Sequence, residues 1–176
     1  MEGCFLKTSD NKNIYFEVYG EGAPIVIIPG FLCTSKFFQR NVPELSKHYR
    51  VIILDLRGFG YSTKCEEGMN LSRMAEDVKE LIDYLGLDDV TLLGWSMGGN
   101  IAMMYYQMFG SYRLAKIGIL DSTLFPYGEE KHNAHNLAGY NLEKFCEQMK
   151  NAYSDYKVYC ENFAVSLFKN PICKFY

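Results

Sequence analysis

The chain has 176 residues, of which 48% are hydrophobic and 22% are charged, an ordinary composition for one globular domain with a filled core. The formal net charge is −3 and the basic residues are scattered, so the charge does not favour nucleic acid as a partner. The N-terminus lacks signal-peptide features, and no apolar run approaches the roughly 18 residues of a membrane span. We therefore expect a cytoplasmic protein with neither nucleic-acid nor membrane partners.

The cysteines form neither a C-x-x-C pair nor a cluster with histidines. We therefore expect reduced thiols that are mostly packed inside the fold, with no disulfide framework and no metal site. The six positions are Cys4, Cys33, Cys65, Cys146, Cys160 and Cys173.

The first predicted elements are two strands within residues 3–20, joined by a polar turn around Asp10–Lys12. We expect them to form an antiparallel hairpin at the edge of a sheet. Four short runs follow that are apolar throughout, which is typical of buried parallel strands. These runs are residues 24–29, 50–55, 90–94 and 116–121.

The clearest helix between these strands is predicted over residues 71–85, where apolar residues recur at helical spacing. Asn70 is placed to cap its start and Gly86 to end it. Strands that alternate with helices predict an α/β fold with helices on both faces of the sheet. In such folds the active sites lie at the carboxyl ends of the strands.

Beyond Thr123 the pattern changes. Apolar residues recur at steps of three and four from Leu142 to Phe163, which predicts an amphipathic helical region. We therefore divide the chain into residues 1–123, a layered core, and residues 124–176, a helical region.

The motif GWSMGG, at 94–99, places Ser96 between a predicted buried strand and a stretch of helical character. The chain must turn sharply there, and Gly94 and Gly98 leave room where a side chain would collide with its neighbours. Such a turn sets the hydroxyl at a helix N-terminus, which favours developing negative charge. These features are typical of a nucleophile, although a tight junction with an incidental serine produces the same letters.

Acyl transfer also needs hydrogen-bond donors where the oxyanion forms. Two backbone N–H groups are candidates: that of Met97, directly after the serine, and that of Phe31, in the loop after the first parallel strand. Gly30 would let this loop approach Ser96 closely. Phosphate binding is disfavoured, because no G-K-[ST] follows and no stretch fits G-x-G-x-x-G.

Four stretches together resemble the α/β-hydrolase superfamily, in its esterase and haloperoxidase-like branch. They are IIPGF (27–31), DLRGFGYS (55–62), LGLDDVTLLGWSMGG (85–99) and LDST (120–123). The resemblance implies an α/β-hydrolase fold, with a mostly parallel sheet, an N-terminal antiparallel hairpin and a partial helical cap in residues 124–176. It also implies a serine hydrolase of small carboxylic esters or related acyl compounds, with Ser96 as nucleophile and no cofactor.

The same resemblance implies roles for the residues around the serine. Phe31 and Met97 would form the oxyanion hole with their backbone N–H groups. Pro29 stands where relatives usually carry histidine, which should alter the hydrogen bonding of the loop without removing the donor. The supporting residues would be Gly30, Gly94, Trp95, Gly98 and Asp121.

The loop RGFGYS, at 57–62, would shape the floor beside the serine. We expect Asp55 to brace this loop by hydrogen bonds, and Arg57 and Ser62 to serve the same loop. Related haloalkane dehalogenases and epoxide hydrolases carry aspartate in place of the serine, so Ser96 favours acyl chemistry over an alkyl-enzyme ester.

A serine hydroxyl is a weak nucleophile until a histidine accepts its proton and an acid orients that histidine. The family places both groups after two further strands, so we expect a chain truncated before them, with its sheet incomplete on the C-terminal side. We interpret His132 and His135 as polar residues of a cap loop and His48 as a surface residue. The alternative is a substitute triad, in which His132 or His135 folds back over Ser96 and Asp121 orients it.

Truncation would leave the strand ending at Ile117–Leu120 as an exposed apolar edge, where we expect self-association or coverage by the C-terminal segment. The isolated chain would then be impaired or inactive. Two other functions stay open. One is a non-catalytic remnant that binds a ligand, and the other is one half of a split hydrolase whose partner chain supplies the histidine.

Overall fold

The computed structural model describes residues 3–122 and 142–167. The chain divides into two compact units, Met1–Leu124 and Phe125–Tyr176. The first unit contains a sheet with its helices, and in the second unit the described residues form two helices.

The sheet of the first unit has six strands within residues 3–122. They are β1 (Cys4–Lys7), β2 (Asn13–Tyr19), β3 (Ala23–Ile28), β4 (Tyr49–Leu54), β5 (Val90–Trp95) and β6 (Leu114–Leu120), in the order β1-β2-β4-β3-β5-β6. The pairs β1–β2 and β2–β4 are antiparallel, whereas β4, β3, β5 and β6 pair in parallel. The predicted mostly parallel sheet with an N-terminal antiparallel hairpin is confirmed.

Helices cover both faces of this sheet. They are a short 3-10 helix (Ser35–Phe38), α1 (Val42–Leu45), α2 (Leu71–Tyr84) and α3 (Met97–Phe109). Side chains alternate along β5, so that Leu92 belongs to the larger apolar core with α2 and α3, and Leu93 packs on a smaller core. Val42 of α1 and Phe38 of the 3-10 helix contribute to the smaller core. Burial on both sides explains the apolar residues of β3, β4 and β5. β6, which was predicted as a buried strand, has no fully buried residue, because it pairs with β5 alone within residues 3–122.

The ends of α2 are set by its own sequence. The Asn70 side chain accepts a hydrogen bond from the Arg73 N–H at 2.9 Å, which satisfies a free donor of the first turn. At the other end Gly86 has a φ of 59°, and the Leu87 N–H donates to the Ile82 carbonyl at 3.0 Å. This is the hydrogen bond of a glycine-ended helix. The predicted cap and the predicted stop are both confirmed.

The second unit contains α4 (Leu142–Ser154) and α5 (Tyr156–Leu167). Asp155 separates them, and its carboxylate accepts a hydrogen bond from the Val158 N–H at 3.0 Å, in the first turn of α5. The predicted helical region is therefore present, but as two helices. The spacing of apolar residues continues across Asp155 and hides the break from sequence analysis.

β6 lies at one end of the strand order and, within the described residues, pairs with β5 alone. It begins two residues before the predicted run and ends at Leu120, which is 46% exposed. No helix in residues 3–122 or 142–167 is long and apolar enough to cross a membrane.

Candidate active site

The candidate site centres on Ser96, which joins the end of β5 to the start of α3. Its backbone has φ 52° and ψ −123°, a strained conformation that costs on the order of 1–3 kcal/mol. Two backbone hydrogen bonds hold it. The Ser96 N–H donates to the Leu120 carbonyl at 2.9 Å, and the Gly99 N–H donates to the Ser96 carbonyl at 2.8 Å. The sharp turn predicted at Ser96 is confirmed.

Three glycines around Ser96 stand where no side chain fits. A Cβ atom on Gly94 would lie 2.2 Å from the Gly98 carbonyl oxygen, and one on Gly98 would lie 2.2 Å from the Ile28 carbonyl oxygen. A Cβ atom on Gly99 would lie 2.8 Å from the Cβ of Ser122. The room predicted at Gly94 and Gly98 is confirmed. Sequence analysis missed the need at Gly99, because Ser122 comes from a distant part of the chain.

The loop after β3 lies directly against Ser96. A Cβ atom on Gly30 would lie 3.0 Å from the Cβ of Ser96 and 3.5 Å from its Oγ, so the predicted close approach is confirmed. A turn follows, in which the Cys33 N–H donates to the Gly30 carbonyl at 3.1 Å and Leu32 has a φ of 59°. Phe31 is part of this turn, and its backbone directly follows the residue in contact with Ser96.

Met97 is the first residue of α3, and Ser96 is the residue before the helix. The first N–H groups of a helix have no carbonyl one turn earlier to bond, and the helix dipole is positive at this end. Both residues are half-buried, so the site borders solvent. This arrangement can stabilise an anion that forms beside Ser96.

The end of β6 reaches the same junction. Asp121 directly follows the strand, is exposed and has a φ of 44°. The Ser122 hydroxyl donates to Oδ1 of Asn100 at 3.3 Å, which joins this end to the first turn of α3. His132 and His135 lie outside the described residues.

Asp55 directly follows β4 and is completely buried. Its Oδ2 accepts a hydrogen bond from the Tyr61 N–H at 2.8 Å, which confirms the predicted bracing of the RGFGYS loop. Its Oδ1 accepts one from the Ser35 N–H at 2.7 Å, a contact that sequence analysis missed. The Ser62 hydroxyl donates to the Asp55 carbonyl at 2.6 Å, so Ser62 serves this loop as predicted.

Arg57 connects the same loop to two distant elements. Its guanidinium is completely buried, and its Nε and Nη2 donate to the Asp77 carboxylate of α2 at 2.6 Å each. Its Nη1 donates to Oδ2 of Asp10, in the hairpin turn, at 2.9 Å. These hydrogen bonds from Arg57 hold the pKa of Asp10 well below its usual range. The sequence analysis predicted a role in the loop and missed both partners.

Aromatic rings hold the segment after β3 from two sides. The ring centroid of Trp95 is 5.7 Å from that of Phe37 and 6.1 Å from that of Phe38, both in the 3-10 helix. The ring of Phe31 lies 5.7 Å from that of Phe59, in the RGFGYS loop. Trp95, the residue directly before Ser96, therefore packs against the segment that contains Phe31.

The cysteines only partly follow the prediction. Those in the described residues are free, but only Cys33 among them is buried, and Cys4 and Cys146 are exposed. The prediction of packed thiols is wrong for Cys4, on the edge strand β1, and for Cys146, on α4, whereas Cys65 and Cys160 are half-buried. Cys173 lies outside the described residues. Burial raises the pKa of the Cys33 thiol to about 11. In the described ranges no three histidine, cysteine, aspartate or glutamate residues are grouped to bind a metal ion.

Known proteins share this arrangement of elements. The esterase EaEST of Exiguobacterium antarcticum superposes with a TM-score of 0.83 at 28% identity, over 92% of this chain and 60% of its own. A bromoperoxidase of Bacillus anthracis superposes with a TM-score of 0.81, also at 28% identity, over 92% of this chain and 59% of its own.

Sequence comparison leads to the same group of proteins. YisY of Bacillus subtilis (strain 168), an AB hydrolase superfamily protein, is 33% identical over 144 residues, which are 77% of this chain and 54% of YisY. The chain thus spans about half the length of this relative. Residues 23–137, more than half of the chain, match the model of the family described as alpha/beta hydrolase fold. The protein therefore belongs to the α/β-hydrolase fold family.

Proposed function

We propose that the protein is a serine hydrolase of small carboxylic esters or related acyl compounds, with Ser96 as the nucleophile. The observation that carries this proposal is the strained backbone of Ser96 between a strand and a helix, with Gly30 packed against it. A junction of this kind presents the hydroxyl beside the helix N-terminus. We therefore interpret it as a nucleophile elbow.

The chemistry would proceed through an acyl-enzyme. The Ser96 Oγ attacks the ester carbonyl carbon as a base takes its proton, and the carbonyl electron pair moves onto the oxygen. The backbone N–H groups of Phe31 and Met97 would donate to this oxyanion, which forms next to the Gly30 contact. When the tetrahedral intermediate collapses, the electron pair returns to the carbonyl and the bond to the alkoxide breaks. The alkoxide leaves as an alcohol, with the proton that the base had accepted, and an ester remains on Ser96. Water then repeats the addition and releases the carboxylic acid.

Attack by Ser96 requires a base that accepts the hydroxyl proton. In the substitute triad this base would be His132 or His135, both outside the described residues, with Asp121 as the orienting acid. Asp121 follows the strand whose Leu120 carbonyl accepts from the Ser96 N–H, which supports its place in this scheme. Replacing both histidines by alanine should then abolish ester hydrolysis, and unchanged hydrolysis would eliminate this triad.

A second candidate function rests on β6. Within residues 3–122 this strand pairs on one side only, and the chain spans about half the length of the relative YisY. We propose that Ile117–Leu120 is a site of association, either with a second copy or with a partner chain that completes a split hydrolase. A light-scattering mass of one chain, with fast amide exchange along β6, would contradict association.

The direct test of the proposed function is hydrolysis of a short-chain p-nitrophenyl ester by the purified chain. We expect Ser96→Ala to lower kcat by at least about a thousandfold, because the acyl-enzyme cannot form. Ser46→Ala is the matched control, since it removes a hydroxyl remote from the site, and it should leave the rate unchanged. Hydrolysis that survives in Ser96→Ala would contradict the mechanism. A folded chain without turnover would favour the ligand-binding or split-hydrolase function.

A further inference from the structure

Asp55 bonds to two loops that meet at the candidate site. It is completely buried, and each carboxylate oxygen accepts one backbone N–H: Oδ1 from Ser35 at 2.7 Å and Oδ2 from Tyr61 at 2.8 Å. Its own N–H donates to the Tyr15 carbonyl at 2.9 Å. A buried carboxylate with every group bonded defines the positions of its donors closely, because losing one bond leaves a buried donor unsatisfied.

The first of these loops is the segment 30–38. It is held at its first residue, where Gly30 meets Ser96, and again at Ser35, whose N–H donates to Asp55. Between them the backbone makes the turn closed by the Cys33 N–H and the Gly30 carbonyl, and Leu32 adopts its φ of 59°. A strained residue of this kind persists when its surroundings fix the chain on both sides. The bond to Asp55 therefore fixes the turn that contains Phe31.

The second loop encloses the carboxylate. Gly60 has a φ of 50°, and a Cβ atom on it would overlap Oδ2 of Asp55. The loop thus closes over the carboxylate, and the N–H of the next residue, Tyr61, donates to Oδ2 of Asp55. In Asp55→Asn the side chain would offer one acceptor oxygen to two N–H donors, so one of these donors would face an NH2 group.

We propose that Asp55 is a positioning residue, which sets the Phe31 N–H against Ser96 by anchoring segment 30–38 through the Ser35 N–H. This inference rests on the proposed function, since it assigns the turn a role in stabilising the oxyanion. Asp55 acts through segment 30–38 and does not itself touch substrate. Its loss should therefore slow the chemical step more than it weakens binding.

The test compares Asp55→Asn with Asp77→Asn, two changes of a buried carboxyl to an amide in the same unit. The Asp77 carboxylate bonds to Arg57 and Arg73, which lie outside segment 30–38, so its loss tests general destabilisation. The first readout is the kinact and KI of a fluorophosphonate probe, corrected for the fraction of folded protein. The second is the rate of amide exchange in segment 30–38. We expect Asp55→Asn to lower kinact at least about tenfold with KI nearly unchanged, and to speed exchange in the segment.

The outcomes separate this proposal from the proposed function. If Asp55→Asn and Asp77→Asn have equal kinact values, Asp55 has no positioning role, even if the amides of segment 30–38 exchange faster in Asp55→Asn. If the wild-type chain does not react with the probe, the proposed function fails. Amide exchange then tests by itself whether Asp55 anchors segment 30–38. In that case, faster exchange in segment 30–38 confined to Asp55→Asn supports the anchor, and equal exchange in the two variants overturns it.

Discussion

The Ser96 junction and the Arg57 cluster, both in the first unit, are fixed by different physical means. At Ser96 the backbone is held by close contact: glycines allow strand, helix and loop to approach until no Cβ atom fits between them. At Arg57 the chain is held by charged side chains, with Asp77 and Asp10 bonding to one buried guanidinium. Steric contact leaves no freedom at the proposed nucleophile, whereas the charge cluster depends on ionisation.

The difference indicates which changes each region tolerates. A buried ion pair is costly to break because removing one partner leaves the other charged and unpaired. A glycine contact fails when any atom is added, whatever its polarity. The cluster should therefore respond to charge and pH, and the junction to volume.

The largest expected effect is that of Asp77→Asn, which leaves the Arg57 guanidinium without its closest carboxylate. We expect the free energy of unfolding to fall by about 3–5 kcal/mol, measured by urea denaturation. Lys47→Met is the matched control, since Lys47 pairs with Glu44 where both side chains are exposed, and it should change stability by about 0.5 kcal/mol or less. Equal effects of the two substitutions would show that burial does not distinguish these pairs.

The next effect concerns volume at the junction. Gly98→Ala puts a Cβ atom against the Ile28 and Pro29 carbonyl oxygens, so the backbone must shift, and we expect a loss of about 3 kcal/mol. Gly86→Ala tests the opposite case, because Gly86 has a left-handed φ of 59° but nothing lies within 4 Å of the added Cβ atom, and it should cost about 1 kcal/mol. If Gly86→Ala is the more damaging in urea denaturation, close contact is not what fixes the junction.

The smallest expected effect is the pH dependence that Asp10 gives to the cluster. Hydrogen bonds from Arg57 lower the pKa of Asp10 in the folded chain, so its contribution is complete above the unfolded pKa of about 4 and is lost as the pH falls below that value. Asp10→Asn should therefore flatten the fall in unfolding free energy between about pH 4 and about pH 2. Parallel curves for the variant and the wild type would contradict the assigned cause.

Local patterns in the sequence predicted much of this fold. Asn70 and Gly86 bound α2 because capping depends on neighbouring residues, and GWSMGG predicted the turn at Ser96 because strand, glycine spacing and helix are contiguous. Contacts between distant residues were not predictable in this way. The Ser35–Asp55 bond and the Arg57–Asp77 pair each join residues 20 positions apart, and no local signal links them. The break at Asp155 was missed because apolar spacing continues through it.

The most direct test of the central claim is the intact mass of the purified chain after reaction with a fluorophosphonate probe, followed by mapping of the modified peptide. We predict one adduct per chain, on the peptide that contains Ser96, and no adduct on a folded Ser96→Ala variant. A folded wild-type chain that stays unmodified, or that carries its adduct on another serine, would contradict the assignment of Ser96 as an activated nucleophile.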